Sequence, residues 1–159
     1  MKIDDIIKLI VSISICQIAG IMGSIFTSPS IPGWYADLQK PLFSPPNWIF
    51  APVWILLFTL MGISLYLILK ENLNNNTVKI GIAIFSFQLI LNIGWSFLFF
   101  SLQNILYALF EIIILWFAIL LTISQFWKIN KKSSYLLIPY LLWVTFAAIL
   151  NFAIWRLNI

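Results

Sequence analysis

Gln88, Asn92, Trp95 and Phe99 fall at i, i+4, i+7 and i+11 within one apolar stretch, the spacing that puts them on one face of a helix. Trp143, Ala147, Leu150 and Asn151 follow at i, i+4, i+7 and i+8 in a later stretch, and Tyr107 and Glu111 stand at i, i+4 between the two. An indole presents a broad flat apolar surface with one N–H donor, while a carboxamide both donates and accepts. Faces that combine the two suit a flat conjugated ligand held by stacking and a few hydrogen bonds. The chain has no histidine and one cysteine. Imidazole metal sites are therefore absent, a haem iron would lack its commonest axial ligand, and one thiolate cannot make a zinc site. No GxSxG, P-loop or GxGxxG sequence occurs, which leaves hydrolase, nucleotide and dinucleotide chemistry without support. The expected ligand is metal-free, and no cofactor is expected.

A second concentration of aromatic residues lies in residues 34–54. Pro41, Pro45, Pro46 and Pro52 stiffen the backbone there, and Trp34, Trp48 and Trp54 hang flat surfaces on it, with Ala51 a small neighbour of Trp54. A flexible linker needs neither feature. The segment is expected to form a lid over an apolar site.

These residues need elements to hold them. Of 159 residues 62% are hydrophobic and 9% charged, against roughly 25% charged in an ordinary soluble domain. Five apolar stretches, at 6–26, 49–69, 80–100, 105–126 and 136–154, are each long enough to cross the hydrocarbon of a bilayer. Backbone polar groups in lipid must be satisfied within the segment, so runs of this length without period-two alternation are helices. The expected fold is an all-α membrane bundle, residues 1–159 forming a single domain of five transmembrane helices with a long structured loop between the first two. The first stretch is longer than a signal-peptide core, and Asp4 and Asp5 dilute its positive charge, so it is read as a retained span. Cys16, inside it, has no partner for a disulfide within the chain.

The net charge of +4 is distributed for a membrane and not for nucleic acid. Lys2, Lys8, Lys70, Lys79, Lys128, Lys131 and Lys132 share one side of a five-span bundle, and Lys40 and Arg156 the other. That bias places the N-terminus in the cytoplasm and the Trp/Pro-rich loop outside. Residues 70–79 and 127–134 are expected as polar inner turns and 101–104 as a tight outer turn, with Trp127 at the headgroup boundary. Only the loop over 27–48 exceeds twenty residues, a length usual for functional lids or disordered segments, and its aromatic content argues against disorder.

Counting 1.5 Å per residue puts Asn92, Trp95, Glu111 and Asn151 in the outer half of the bilayer, with Trp54 opening the second span at the same depth and Trp143 nearer the middle. Three indoles, two amides and one acid would converge beneath the loop. Plainer roles exist for each. Gln88, Asn92 and Asn151 would serve as interhelical hydrogen-bond glue, Glu111 as a structural anchor bonded to an indole N–H, and Trp34, Trp48 and Trp127 as interface belt. Belt placement explains Trp54, Trp95 and Trp143 poorly.

The run Trp34-Tyr35, Leu38-Gln39-Lys40-Pro41, Pro45-Pro46, Trp48, Pro52-Val53-Trp54 and Gly62 resembles the tryptophan-rich sensory protein/translocator protein family, also called peripheral-type benzodiazepine receptors. Gln88-Leu89, Leu91-Asn92 and Trp95 match as well, as do Pro139-Tyr140, Leu142-Trp143, Phe146-Ala147, Leu150-Asn151 and Trp155-Arg156. The resemblance implies a bacterial member in the cell membrane, with five helices and an apolar cavity closed by the first loop. It implies binding of porphyrins such as protoporphyrin IX, and of isoquinoline carboxamide and benzodiazepine-type drugs in the same cavity, in a surround of membrane lipid. Ligand contacts are then expected from Trp34, Trp48, Ala51, Trp54, Asn92, Trp95, Tyr107, Glu111, Trp143, Ala147, Leu150 and Asn151.

Three positions depart from the family pattern. Phe152 stands where the cholesterol motif of animal members has Tyr, so cholesterol binding is not carried over. Glu111 lengthens an acidic position that is often Asp. Ala83 is followed by Phe87, which breaks a small-xxx-small dimer face in the third span; Ala19/Gly23 and Gly20/Ser24 offer another, for a homodimer or for two helices of one chain. Two function classes follow. One is a receptor or carrier for tetrapyrroles, in their transport, sensing or disposal. The other is an enzyme-like degradation of bound porphyrin by light and oxygen, with Trp54 and Trp143 as catalytic electron relays. A small multidrug or ion transporter using Glu111 as its proton site has the least support, since one acid and no internal repeat stand behind it.

The charge bias gives a direct expectation. In a Cys16→Ser background, Ser30→Cys should react with an impermeant maleimide on intact cells and Asn75→Cys should not; the reverse pattern would invert the orientation.

Overall fold

The structure is a computed structural model and describes residues 3–159; Lys2, counted in the charge bias, lies outside them. It is all-helical, with no strand among the described residues and five helices long and apolar enough to span a membrane. Helix α1 covers Ile3–Thr27, α2 is a short turn at Trp34–Asp37, and α3 covers Asn47–Leu69. Helix α4 runs Asn76–Ser96 and continues as a π-helical turn over Phe97–Ser101. Helices α5 (Ile105–Ile129), α6 (Lys131–Leu136) and α7 (Ile138–Leu157) complete the chain.

Capping residues set the ends. Asp4 and Asp5 occupy the first turn of α1, where acidic groups complement the helix dipole. The Asn75 side chain accepts from the Thr77 N–H at 2.8 Å, and that of Asn104 from the Tyr107 N–H at 3.0 Å. The outer turn expected at 101–104 is prepared by the π turn, whose Phe97 carbonyl accepts from the Leu102 N–H at 3.0 Å; the chain then reverses through Gln103 at φ 52°.

The inner turn expected at 127–134 is helical apart from Asn130, which corrects the sequence reading. Asn130 is extended, and its side chain accepts from the N–H groups of Lys132 and Ser133. It ends α5 and starts α6 within one residue. Polar composition signalled a loop, but the residues that follow a good cap continue as helix. Leu137 then links α6 to α7, so the two run on as one apolar span.

The helices close into a ring. Helix α1 packs between α3 and α4, α4 against α5, α5 against α6 and α7, and α6 returns to α3. Small residues set the close approaches. A Cβ at Gly62 of α3 would stand 2.5 Å from the Ile13 Cα of α1, and one at Gly20 of α1 would stand 2.6 Å from the Phe58 ring. Gly23 faces Ser96 of α4. The small-residue faces of α1 are thus used within one chain.

Polar links fasten the same seams. Gln17 of α1 donates to the Ile55 carbonyl at 3.0 Å and to Thr59 at 2.9 Å on α3. On the far side, Ser64 Oγ bonds the Ser133 carbonyl at 2.9 Å, and Ser133 Oγ donates to the Ser64 carbonyl at 2.8 Å, with all four groups buried. A main cluster that includes Met61, Ile68, Phe85, Ile119 and Phe126 fills the bundle, and a smaller one, with Tyr35, Phe99, Phe100, Ala108, Leu150 and Ile154, fills its loop end.

The glycines differ in a testable way. Gly62→Val drives a branched side chain into backbone and should cost about 1–3 kcal/mol. Gly94→Ala, whose new methyl would meet nothing nearer than Glu111 Oε1 at 3.8 Å, should be neutral or mildly stabilising. Unfolding in detergent followed by circular dichroism measures both.

Candidate ligand-binding cavity

The loop end of the bundle is where the aromatic faces meet. Helix α3 is fastened to α6 at the opposite end and touches α7 only sparsely. A cavity of about 410 Å³ lies between them under the loop, within the roughly 300–1,000 Å³ of small-molecule sites. Its walls come from α1, α3, α4, the π turn and α7, with Ile31 and Tyr35 of the loop above.

Eight of the twelve sequence-proposed residues line it: Ala51, Trp54, Asn92, Trp95, Trp143, Ala147, Leu150 and Asn151. The indoles are held in fixed planes. Trp54 stacks on Phe58 with ring centres 5.5 Å apart, Trp95 stacks on Phe99 at 5.1 Å, and Trp143 is edge-on to Phe50 at 6.0 Å. The Trp95 N–H donates to Asn151 Oδ1 at 3.1 Å, and Asn151 Nδ2 donates to the Ile105 carbonyl at 3.0 Å, so one side chain ties α4, α7 and α5 together. Asn92 donates to Tyr140 Oη at 2.9 Å, and the Tyr140 O–H donates to Gln88 Oε1 at 3.0 Å, both within buried surroundings. Asn92 and Asn151 are therefore interhelical links and cavity walls at once.

The other four lie elsewhere. Trp34 packs edge-on to Phe99 at 5.5 Å, behind the lining. Trp48 is 73% exposed in the first turn of α3, and Tyr107, 60% exposed, is in the first turn of α5. Helix α5 contributes nothing to the lining, because α4 and α7 stand between it and the cavity. Glu111 for that reason faces Gly94 in the α4–α5 seam. Among the described residues neither of its carboxylate oxygens has a hydrogen-bond partner. The expected indole bond to Glu111 is not made: the Trp95 N–H goes to Asn151, and that of Trp116 goes to Thr145 at 2.8 Å.

Several lining residues were not proposed from the sequence, among them Gln17, Gly20, Tyr35, Phe50, Phe58, Ser96, Phe99 and Phe100. Phe99 already stood on the Gln88/Asn92/Trp95 face. Phe100 reaches the cavity through the π turn, where consecutive residues Phe97–Ser101 depart from α-helical spacing.

Residues 12–156 match the TspO/MBR family. The chain belongs to that family. It is 43% identical over 154 residues to the tryptophan-rich protein TspO of Chlorobaculum tepidum, covering 97% of this chain and 98% of that one. To the protein of the same name from Archaeoglobus fulgidus it is 48% identical over 155 residues, covering 97% and 99%. The human translocator protein is 36% identical over 127 residues, covering 79% of this chain and 75% of that protein. The chain is accordingly a multi-pass membrane protein.

In this family member the loop is fastened at both flanks. Ser30 Oγ donates to the Phe100 carbonyl at 2.7 Å. Asn158, past the end of α7, accepts from the Gln39 N–H at 3.0 Å and donates to the Gln39 carbonyl at 2.9 Å. Lys40 sits 4.5 Å over the Tyr35 ring, and burial raises the pKa of that phenol above its ordinary value. Along the side, the exposed lining residues are Ile21, Ser24, Ser28, Asn47, Ala51 and Ile55, so the cavity meets its surroundings along the α1–α3 seam.

Asn158→Ala removes both bonds to Gln39. Each is worth about 0.5–1.5 kcal/mol, so amide exchange around Gln39 should accelerate roughly tenfold while the spans keep their protection. Hydrogen exchange read by mass spectrometry checks it.

Proposed function

We propose that this TspO/MBR family protein binds a flat conjugated ligand of the porphyrin class, protoporphyrin IX being the test compound, and serves tetrapyrrole transport, sensing or disposal. One observation carries the reading: Trp54, Trp95 and Trp143, from three different helices, open onto one cavity whose remaining walls are mainly apolar. Such a site gives stacking surfaces on several sides and few polar groups to satisfy. Asn92 and Gln17 would supply directional hydrogen bonds to ligand edges, while Ala51 and Ala147 leave room where a larger side chain would fill the space. Relatives named translocator protein and tryptophan-rich sensory protein fit carriage and sensing. Isoquinoline carboxamide and benzodiazepine-type compounds would occupy the same space. A membrane orientation with the loop outside accompanies this reading, since a loop-end cavity would then face the outer leaflet.

A second reading has its own support. Trp54 is edge-on to Tyr140 at 6.3 Å, and Trp143 lines the same cavity. Oxidisable rings beside the ligand would relay electrons when a bound porphyrin is excited by light in the presence of oxygen. That makes Trp54 and Trp143 the catalytic candidates for a degrading activity.

Protoporphyrin IX should quench intrinsic fluorescence saturably, and replacing Trp54, Trp95 and Trp143 together by Phe should remove most of the quenching assigned to the site. Undiminished quenching at the same affinity in that variant would place the ligand elsewhere. Illumination of the complex then separates the readings: a defined absorbing product supports degradation, and an unchanged spectrum leaves binding.

A further inference from the structure

The end of the bundle opposite the loop carries a corner that the cavity does not use. Asn130 breaks the helix between α5 and α6, and Trp127, Lys131 and Tyr135 come together across the break, with Lys128 next to Trp127 in the chain and exposed. Trp127 and Tyr135 are 44% and 54% exposed, yet they meet edge to face with ring centres 5.3 Å apart. The Lys131 ammonium sits 5.3 Å over the Trp127 ring.

The corner is rigid from behind. Ser133 is locked to Ser64 of α3, and Ser134 Oγ donates to the Ile123 carbonyl at 2.9 Å. Its cations form no ion pair among the described residues. Glu71, which reaches this corner, is engaged by Asn130 Nδ2 at 3.2 Å, and Asp5 is paired with Lys70 at 3.6 Å. Among the described residues no carboxylate lies within ion-pair distance of Lys128, Lys131 or Lys132. An added anion would therefore displace no internal partner.

An apolar track leads away from the lysines. Leu120 lies two helical turns before Trp127 on α5, and Ile138 and Leu142 follow Tyr135 at i+3 and i+7 along α7; all three are exposed. Helices α5 and α7 pack side by side, so an acyl chain laid along them would hang from a head group at the corner. A soluble anion would use the lysines and leave the track empty.

We propose that the α5–α6 corner is a binding site for one anionic phospholipid. Its phosphate lies against Lys128 and Lys131, its glycerol region lies at Trp127 and Tyr135, and an acyl chain runs along Leu120, Ile138 and Leu142. Indoles and phenols favour that interfacial level, and a basic residue near an anionic membrane surface contributes about 1 kcal/mol.

The test uses the full chain in nanodiscs with dibrominated phosphatidylglycerol or dibrominated phosphatidylcholine at equal mole fraction. Quenching of Trp127 is read as the difference between the protein and its Trp127→Phe variant. The anionic lipid should quench more strongly, and its preference should fall roughly fivefold for each of Lys128→Gln and Lys131→Gln. Lys131→Arg should retain the preference. Equal quenching of the unaltered protein by both lipids would overturn the proposal without any charge variant. So would an unchanged preference in the double Gln variant with native circular dichroism. Displacement of the brominated lipid by soluble glycerophosphoglycerol at a similar concentration would overturn the part played by the acyl chain.

Discussion

A ring of five helices exists only if the second span meets the last, and here that closure rests on two serines. Ser64 and Ser133 exchange hydrogen bonds with each other's carbonyls in a fully buried contact. In a lipid surround there is little hydrophobic gain in pressing one apolar helix on another, so small side chains and polar links decide which helices touch. The chain follows that rule at each seam: Gly62 against Ile13, Gln17 across to Ile55 and Thr59, Asn151 to Trp95 and Ile105. Each link is modest in energy. Together they choose one ring out of the many that five similar apolar helices could form.

The cavity is the other face of the same arrangement. With α3 fastened to α6 at one end, its opposite end stands away from α7, and the space between is edged by aromatic rings that are paired with one another. Stacking pairs such as Trp54 with Phe58 and Trp95 with Phe99 hold those rings in place, and the bond from Trp95 to Asn151 fixes one of them to two further helices. Bundle stability and cavity shape therefore draw on the same side chains. A substitution at Asn151 or Asn92 would disturb both.

Much of this was legible in the sequence, because both of its strongest signals are local. Apolar length gave the five spans, and helical spacing grouped Asn92 with Trp95 and Trp143 with Asn151. What the sequence could not show depends on which helix stands beside which. Glu111 was placed with the cavity residues by its depth and by the cost of turning an acid toward lipid, and the ring order turned it into the α4–α5 seam beside Gly94. Tyr107 shares its helix and is likewise excluded. The residues after Trp127 looked like a turn because they are polar, although Asn130 caps a new helix there. Phe100 lay off the face shared by Gln88, Asn92, Trp95 and Phe99, and it lines the cavity from within the π turn. Local chemistry is readable from spacing; azimuth within a bundle is not.

The serine closure also sets an order of assembly. Ser64 precedes Ser133 by 69 residues in the chain, and synthesis runs from the N-terminus. While α4 and α5 are being made, the hydroxyl of Ser64 waits in the membrane without its partner, and the gap beside α3 stands open. Neither the ring nor the cavity can be complete until the final helical pair has left the ribosome. A chain stalled before α6 would hold four spans, with a polar notch turned toward lipid or the insertion machinery. Until then the Ser64 hydroxyl has only the carbonyls of its own helix to bond, as Ser12 and Ser86 do, and the last helical pair replaces that local bond with the closing contact.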